Sequence, residues 1–361
     1  MTGNLGKSFL LCILAMVIGG CGASTDSTAQ EQNKVEPPRT SMSYQALQDS
    51  DLQAVRDYLL AKELLISDVS QVSSYQFLSQ GGINKTIETY GYQLNGAQAY
   101  GVIIYPDVAV SKDTPVALML SGLNQEDPQL YVESLFDMFQ SFSNVMDDML
   151  VLVPSYRGNI LKTDGNYKSA GDFCDAYEGA TDDSLAFLNL AEDIVAEIDT
   201  DKVLAMGWSR GGLLAHLLGQ RDDRIAMAIT VSAPTDFYRQ SVANHYSQQY
   251  ICQFVRNKSE QESKQRALAS SPLHFAQYSA MTLIHHGGGD SVVPSWNASE
   301  MEAGLTANAI DNRLYLYPEA NHGLRGAPCM PPLYLCKLWL SVVIPNLPTF
   351  RLCIPPRAYY P

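Results

Sequence analysis

Three residues in the second half of the chain have side chains suited to acyl transfer: Ser209, Asp290 and His322. A serine hydroxyl becomes a nucleophile when a histidine accepts its proton, and a carboxylate is needed to orient that histidine. Serine, acid and histidine follow one another in one of the chain orders in which such triads are found. We therefore predict a catalytic triad in which Ser209 attacks an ester or amide carbonyl.

The surroundings of Ser209 favour a nucleophile on a sharp turn. The sequence Gly-Trp-Ser-Arg-Gly occupies 207–211, after an apolar run at 202–206 and before a helical pattern at 211–220. A strand-to-helix turn of this kind needs glycine neighbours, because its backbone is strained and crowded. The first turn of the helix then directs the backbone N–H of Arg210 toward a developing oxyanion. A second donor is expected at the backbone N–H of Leu123.

The acid and the base each follow an apolar run that we predict to be a strand. Asp290 comes after the run 281–285, and His322 comes after the run 313–317. The carboxyl ends of parallel strands meet at one edge of an open sheet, where ligands bind. Asp236 follows another run and is the competing candidate for the acid, and Asp290 is preferred.

Arg157 is interpreted either as a clamp for a substrate carboxylate or as a structural ion-pair partner of Glu178 or Asp182.

Apolar runs alternate with helical patterns through most of the chain, which predicts an α/β fold with a mostly parallel central sheet. The runs lie at 116–120, 149–153, 202–206, 225–231, 281–285 and 313–317, and the helical patterns at 44–65, 129–142, 181–197 and 211–220. Segments 83–92 and 97–105 flank Asn95-Gly96 and predict an antiparallel N-terminal hairpin. Residues 237–272 predict a helical insertion, or cap, before the strand that precedes Asp290.

The N-terminus has the features of a bacterial lipoprotein signal. An apolar run at 9–18 is too short to span a membrane and ends in Ile-Gly-Gly-Cys, which resembles a lipobox. We expect cleavage after residue 20, lipid attachment at Cys21 and a flexible, polar tether over 21–43. One catalytic domain would then occupy 44–361, with an atypical proline- and cysteine-rich tail at 328–361. The expected location is the bacterial cell envelope, with a lipid anchor holding the protein to the membrane.

Charge and cysteine content narrow the possible partners. The formal net charge of −14 disfavours nucleic acid, because a phosphate backbone would repel such a surface. No cysteine and histidine spacing indicates a metal site, and triad chemistry requires no cofactor. The cysteines outside the signal and the lipid site are odd in number, and their pairing stays open: Cys174, Cys252, Cys329, Cys336 and Cys353.

The motifs over residues 83–325 resemble the catalytic domain of prolyl oligopeptidase-type (S9) serine peptidases, an α/β-hydrolase family. The resemblance rests on Gly-Trp-Ser-Arg-Gly-Gly at 207–212, on His-Gly-Gly-Gly-Asp-Ser-Val-Val-Pro at 286–294, and on Tyr-Pro-Glu-Ala-Asn-His-Gly at 317–323. It implies the α/β-hydrolase fold and the triad Ser209, Asp290 and His322.

Two departures from this family weaken the expectation of peptide specificity. The first eighty residues leave no room for the N-terminal β-propeller typical of these peptidases, and the loop 121–124 reads Ser-Gly-Leu-Asn instead of His-Gly-Gly. The leading hypothesis is an S9-like serine peptidase that acts on short peptides. The alternative is a carboxylesterase acting on small or carbohydrate-linked esters, and a non-catalytic surface binding protein is the less favoured third hypothesis.

Overall fold

The computed structural model describes residues 41–142 and 144–326, and all of them belong to one compact unit. Packing begins at Met42, which is buried, two residues before the predicted start of the catalytic domain. The predicted signal, Cys21, most of the tether and the tail at 328–361 lie outside the described residues. Within 41–142 and 144–326, no helix has the length and apolar character needed to cross a membrane.

The described chain folds into strands that alternate with helices. The strands are β1 (Ile66–Leu78), β2 (Asn84–Leu94), β3 (Ala97–Tyr105), β4 (Val116–Leu120), β5 (Gln129–Tyr131), β6 (Leu150–Pro154), β7 (Ile160–Lys162), β8 (Asn166–Lys168), β9 (Val203–Trp208), β10 (Ile225–Val231), β11 (Met281–Gly287) and β12 (Asn312–Tyr317). The α-helices are α1 (Asp49–Leu60), α2 (Val132–Phe142), α3 (Glu178–Ile194), α4 (Arg210–Arg221), α5 (Gln240–Tyr246), α6 (Gln248–Tyr250), α7 (Glu260–Ala269) and α8 (Trp296–Ala307).

Nine strands form the central sheet in the order β1-β2-β3-β6-β4-β9-β10-β11-β12. The pairs from β6 through β4, β9, β10 and β11 to β12 are parallel, and β1, β2, β3 and β6 pair antiparallel. The parallel strands therefore end at a common edge, and β9, β10 and β11 lie side by side there. A second, small sheet has the order β5-β7-β8.

Helices cover both faces of the parallel region, because its strands other than the edge strand β12 are buried on both sides. In β4, Val116, Leu118 and Leu120 belong to one core cluster, which also contains Phe187 of α3 and Leu214 of α4. The intervening Ala117 and Met119 belong to a second cluster with Phe136 and Phe139 of α2. The two-residue alternation of a strand thus separates two apolar layers across one sheet.

The predicted fold class is confirmed, with its parallel sheet, antiparallel hairpin and helical insertion. Asn95 and Gly96 at the hairpin turn both have positive φ angles, 50° and 79°, as a type I′ turn requires. Helices α5, α6 and α7 and a π-helical turn at Ile251–Val255 form the insertion between β10 and β11. Two features were not predicted: the thirteen-residue edge strand β1 and the small sheet.

Candidate active site

Ser209 occupies the single residue between β9 and α4. Its φ of 55° and ψ of −118° lie in a region that L-residues rarely adopt, and such values cluster at functional sites. The backbone is held there by two hydrogen bonds: the N–H of Ser209 donates to the carbonyl of Val231 at 2.7 Å, and the N–H of Leu213 donates to the carbonyl of Ser209 at 3.1 Å. The turn is therefore fixed by the neighbouring strand and by its own helix.

The glycines around Ser209 are required by close backbone packing, as predicted from the motif. A Cβ on Gly207 would overlap the backbone of Gly211, and a Cβ on Gly211 would overlap the carbonyl oxygen of Leu120 at the end of β4. A Cβ on Gly212 would lie 2.9 Å from the Cβ of Ala233. Any side chain at these positions would push α4 away from the sheet and displace Ser209.

Asp290 and His322 meet at the same edge of the sheet, each in the loop after its strand. Nδ1 of His322 lies 2.7 Å from Oδ2 of Asp290. Since an ionised carboxylate can only accept, Nδ1–H is the donor and Nε2 is left as the acceptor on the other side of the ring. This is the tautomer that a general base needs to take a proton from a serine hydroxyl.

Asp290 is buried but well supplied with donors. The backbone N–H groups of Val292 and Val293 each donate to its Oδ1 at 2.9 Å. Burial disfavours the charged form, yet the hydrogen bonds from His322 and from these N–H groups outweigh it, so the pKa of this carboxyl lies below its usual value. Asp290 is therefore an anion at neutral pH and accepts the hydrogen bond from Nδ1–H of His322.

Trp208 brings His322 next to the turn. The indole Nε1–H of Trp208 donates to the backbone carbonyl of His322 at 2.9 Å, and the two rings lie 5.1 Å apart between centroids. Because Trp208 directly precedes Ser209, these contacts hold the loop that carries His322 against the strand that leads into the turn.

His286 is a further contact of Asp290. Its Nε2 lies 3.4 Å from Oδ2 of Asp290 and donates to the carbonyl of Val293 at 2.8 Å. Burial lowers the pKa of His286, so the ring is neutral. The signal for this role is its position at the end of β11, four residues before Asp290.

The loop after β4 lies directly against the turn. A Cβ on Gly122 would sit 3.1 Å from the indole of Trp208, and Leu123 packs on an apolar cluster that includes Leu213 of α4. The loop and the N-terminus of α4 therefore face one region. Both predicted oxyanion donors, the N–H groups of Arg210 and Leu123, belong to these two elements.

The competing acid, Asp236, is occupied elsewhere. Its carboxylate lies 3.1 Å from Nε2 of His274 and 3.0 Å from Nε of Arg239, and it accepts the N–H of Tyr238. Only Asp290, of the two candidates, contacts His322.

Arg157 is part of an ion-pair network, but its predicted partners are wrong. It binds Asp183 through Nε and Nη2 and Asp175 through Nη1, whereas Glu178 and Asp182 pair with Lys62. The guanidinium is thereby committed to structural contacts.

Over the described ranges 41–142 and 144–326, no group of three or more histidine, cysteine or acidic side chains is arranged to hold a metal ion.

A serine in a strained strand-to-helix turn, beside a histidine–aspartate pair at the carboxyl edge of an α/β sheet, is the arrangement of a serine hydrolase with the α/β-hydrolase fold. A model of the prolyl oligopeptidase family, peptidase S9, matches residues 137–329. The match spans more than half of the chain and contains Ser209, Asp290 and His322. The chain belongs to the prolyl oligopeptidase family and is a serine hydrolase.

Solved structures show the same fold at low sequence identity. Acetyl xylan esterase 1 from Thermoanaerobacterium sp. JW/SL YS485 aligns with a TM-score of 0.55 and 15% identity over 82% of this chain and 93% of that chain. Acetyl xylan esterase from Paenibacillus sp. R4 aligns with a TM-score of 0.51 and 19% identity over 81% of this chain and 92% of that chain. Acylaminoacyl peptidase from Pyrococcus horikoshii aligns with a TM-score of 0.50 and 14% identity over 80% of this chain and 42% of that chain. A search of curated proteins finds no match.

Proposed function

We propose that Ser209, His322 and Asp290 form the catalytic triad of this hydrolase and that the reaction passes through an acyl-enzyme on Ser209. The observation that carries the proposal is the 2.7 Å contact of His322 with Asp290 beside a serine at a φ of 55°. The hydrogen-bonded Nδ1 leaves Nε2 of His322 free to act as the base. The lowered pKa of Asp290 keeps the counter-charge in place through the cycle.

The proposed reaction has two halves that use the same groups. Nε2 of His322 takes the proton of Ser209 while Oγ bonds to the substrate carbonyl carbon, and the carbonyl oxygen becomes an anion held by the N–H groups of Arg210 and Leu123. The tetrahedral intermediate collapses, and His322 passes the proton to the leaving amine or alcohol. A water molecule then gives a proton to His322 and attacks the acyl carbon, which releases the acid and returns the proton to Ser209.

Short peptides are the first proposed substrates. The support is membership in the prolyl oligopeptidase family, whose name refers to small peptide substrates. Small or carbohydrate-linked carboxylesters are the second proposed class of substrates. The support is the alignment with acetyl xylan esterase 1 over 93% of that enzyme, whereas less than half of the acylaminoacyl peptidase is matched.

The serine assignment is tested with Ser209→Ala and a matched control, Ser232→Ala. Ser232 is buried, follows the adjacent strand β10 and, like Ser209, has a positive φ, here 51°. Its Oγ has no hydrogen-bond partner among residues 41–142 and 144–326. Ser209→Ala is expected to lose hydrolysis of p-nitrophenyl acetate and of dipeptide p-nitroanilides, together with fluorophosphonate labelling, while Ser232→Ala keeps all three. Activity or labelling that survives Ser209→Ala rejects the triad.

The same assays on the unmodified protein separate the two substrate classes. Cleavage of the dipeptide p-nitroanilides supports the peptidase, and hydrolysis of acetylated xylo-oligosaccharides without any anilide cleavage supports the esterase instead.

We also propose that the protein is held at the bacterial cell envelope by lipid on Cys21. The support is the lipobox-like sequence at 18–21 and the Cys174–Cys252 disulfide, because disulfides persist in oxidising compartments. Cys21→Ser is expected to move the protein from the membrane fraction to the soluble fraction of expressing cells. Equal membrane association of both forms would contradict the anchor.

A further inference from the structure

The side chain of Arg210 points back from the first turn of α4 into the loop after β4. Its Nη2 donates to the carbonyl of Gly122 at 2.7 Å and to Oγ of Ser121 at 3.3 Å, and its Nε donates to the carbonyl of Ser121 at 3.4 Å. Two consecutive carbonyls just before Leu123 are thus turned toward one guanidinium.

Tyr156 completes a closed set of contacts with this loop. The guanidinium carbon of Arg210 lies 4.4 Å from the centre of the Tyr156 ring, and the Tyr156 hydroxyl accepts the N–H of Ser121 at 3.0 Å. Arg210, Tyr156 and Ser121 are all buried. The loop therefore has little freedom to rotate its peptide groups while the arginine is in place.

The charge of Arg210 is unusual because it is buried without a carboxylate against it. In the part of the chain that the structure describes, no acidic side chain forms an ion pair with Arg210, and its buried Nη1 has no hydrogen-bond partner. The nearby acid Asp183 is paired with Arg157. Burying a cation in this way is unfavourable, and burial lowers the pKa of the Arg210 guanidinium. A positive charge retained at such a position strengthens the local potential for an anion.

We propose that Arg210 is a positioning residue for the oxyanion loop, in addition to the backbone donor it contributes. Its side chain holds the carbonyls of Ser121 and Gly122. Because the N–H of Leu123 belongs to the same trans peptide group as the Gly122 carbonyl and points the opposite way, this contact turns that N–H toward the oxygen that becomes negative. The unneutralised guanidinium then adds a positive potential behind both donors. This inference rests on the triad proposed above, since it assumes that the tetrahedral intermediate forms on Ser209.

Arg221 provides a matched control on the same helix. Its side chain, at the far end of α4, is only 6% exposed and binds Asp182 at 2.6 Å. Its Nε and Nη1 are also without hydrogen-bond partners over 41–142 and 144–326. Arg210→Met and Arg221→Met therefore remove similar buried charges from one element, and only the first touches the loop.

The experiment compares Arg210→Met, Arg210→Lys and Arg221→Met by steady-state kinetics on p-nitrophenyl acetate, corrected for the folded fraction. Loss of one oxyanion donor lowers kcat by about 100-fold to 1,000-fold in studied hydrolases. We expect a kcat loss of about that size for Arg210→Met with KM close to the parent value, and an intermediate loss for Arg210→Lys, since an ammonium cannot reproduce the planar fork. Arg221→Met is expected to keep the parent kcat.

A second readout is inhibition by phenylboronic acid, which forms a negatively charged tetrahedral adduct with an active-site serine. Arg210→Met is expected to weaken this inhibition by about the same factor as kcat, as a group acting on the transition state requires. Should Arg210→Met fail to fold, Tyr156→Phe replaces it, because this change removes the acceptor of the Ser121 N–H and keeps the ring. It is expected to lower kcat and boronate affinity together.

Unchanged kcat per folded molecule and unchanged boronate affinity in Arg210→Met would overturn the positioning role and leave Arg210 only structural. If Tyr156→Phe is used because Arg210→Met does not fold, the same two results in Tyr156→Phe would overturn it. The triad would still stand in that case, provided that Ser209→Ala is inactive. Activity in Ser209→Ala would instead reject the proposed function itself.

Discussion

Asp236 and Asp290 show how partners separate two acids of similar position. Each follows a strand of the parallel sheet, β10 and β11 respectively. Asp236 is bound by His274 and Arg239, and Asp290 is bound by His322 and by two backbone N–H groups. Only the histidine bound by Asp290 also contacts Trp208, which precedes Ser209. The chemical role of an acid here depends on which histidine it reaches.

Asp290→Asn and Asp236→Asn are therefore expected to differ in activity. The amide at 290 cannot hold the Nδ1–H tautomer or stabilise a charged His322, and the equivalent change in a studied serine protease lowers kcat by about 10,000-fold. Asp236→Asn should lower stability through the loss of its ion pair with Arg239 and keep kcat per folded molecule. Steady-state kinetics on p-nitrophenyl acetate and urea unfolding of both variants provide the measurements. Equal kcat losses in the two variants would argue against Asp290 as the orienting acid.

For single residues, the sequence predicts the types and the order of the catalytic candidates better than it predicts which side chains contact each other. Ser209, Asp290 and His322 could be selected because each comes just after a strand. The contacts of Arg157 with Asp183, 26 residues away, and of Arg210 with Gly122, 88 residues away, depend on how helices pack on the sheet. Several carboxylates compete for each arginine in the sequence, and only tertiary structure selects among them.

The insertion between β10 and β11 is joined to the core at several points around residue 175. Cys252 in its π-helical turn forms a disulfide with Cys174, and the side chain of Gln253 accepts the N–H of Ala176 at 2.8 Å. Arg266 of α7 pairs with Asp175 at 2.5 Å. On its other side, Nε2 of His245 donates to the carbonyl of Val292, two residues after Asp290. The insertion therefore connects the start of α3 with the loop that carries the acid.

Removal of the disulfide is expected to destabilise this connection. The Cys174–Cys252 bridge closes a loop with a sequence separation of 78, for which chain entropy gives about 4.5 kcal/mol of stabilisation. Cys174→Ser/Cys252→Ser should lower the free energy of unfolding in urea by up to about this amount and increase hydrogen exchange over residues 240–255. Dithiothreitol should destabilise the parent in the same way and leave the double variant unchanged. A double variant as stable as the oxidised parent would show that the bridge contributes nothing to stability.

Elements were predictable where their pattern is local. Val116–Leu120 and Ile225–Val231 have the predicted bounds because continuous apolar runs define buried strands, and Ala97–Tyr105 does because it alternates beside Asn95-Gly96. Strand β1 was missed because Ile66–Leu78 is rich in serine and glutamine and largely exposed. Its pairing with β2 along the sheet edge, and not burial, makes it a strand.

At the scale of the whole molecule, two histidines are buried without being part of an ion pair. His216 lies inside α4 with neither ring nitrogen hydrogen-bonded among the described residues, and His285 donates or accepts one bond with the Tyr317 hydroxyl. Burial lowers the pKa of His216 to about 3 and that of His285 to about 4. Both are therefore neutral in the folded protein at any pH near neutrality.

These histidines make the folded state sensitive to acid. Below pH 6.5, the ordinary histidine pKa, the unfolded chain binds a proton at each site, while the folded chain does not until the pH approaches the lowered values of about 3 and about 4. Because the unfolded state then binds more protons, stability is complete above pH 6.5 and is lost as the pH falls. Each histidine contributes a slope of about 1.4 kcal/mol per pH unit across that window.

His216→Leu is expected to remove one of these two slopes and to leave the stability at pH 7 equal or higher, since two buried ring nitrogens without partners are replaced by an apolar side chain. Free energies of unfolding from urea titrations at pH 7, 6, 5 and 4 would show it as a gap between variant and parent that widens by about 1.4 kcal/mol per pH unit below pH 6. Leu214→Met, a non-titrating change in the same helix, should shift the parent curve by the same amount at every pH. Parallel curves for His216→Leu and the parent would mean that His216 is protonated in the folded state and that acid lability has another origin.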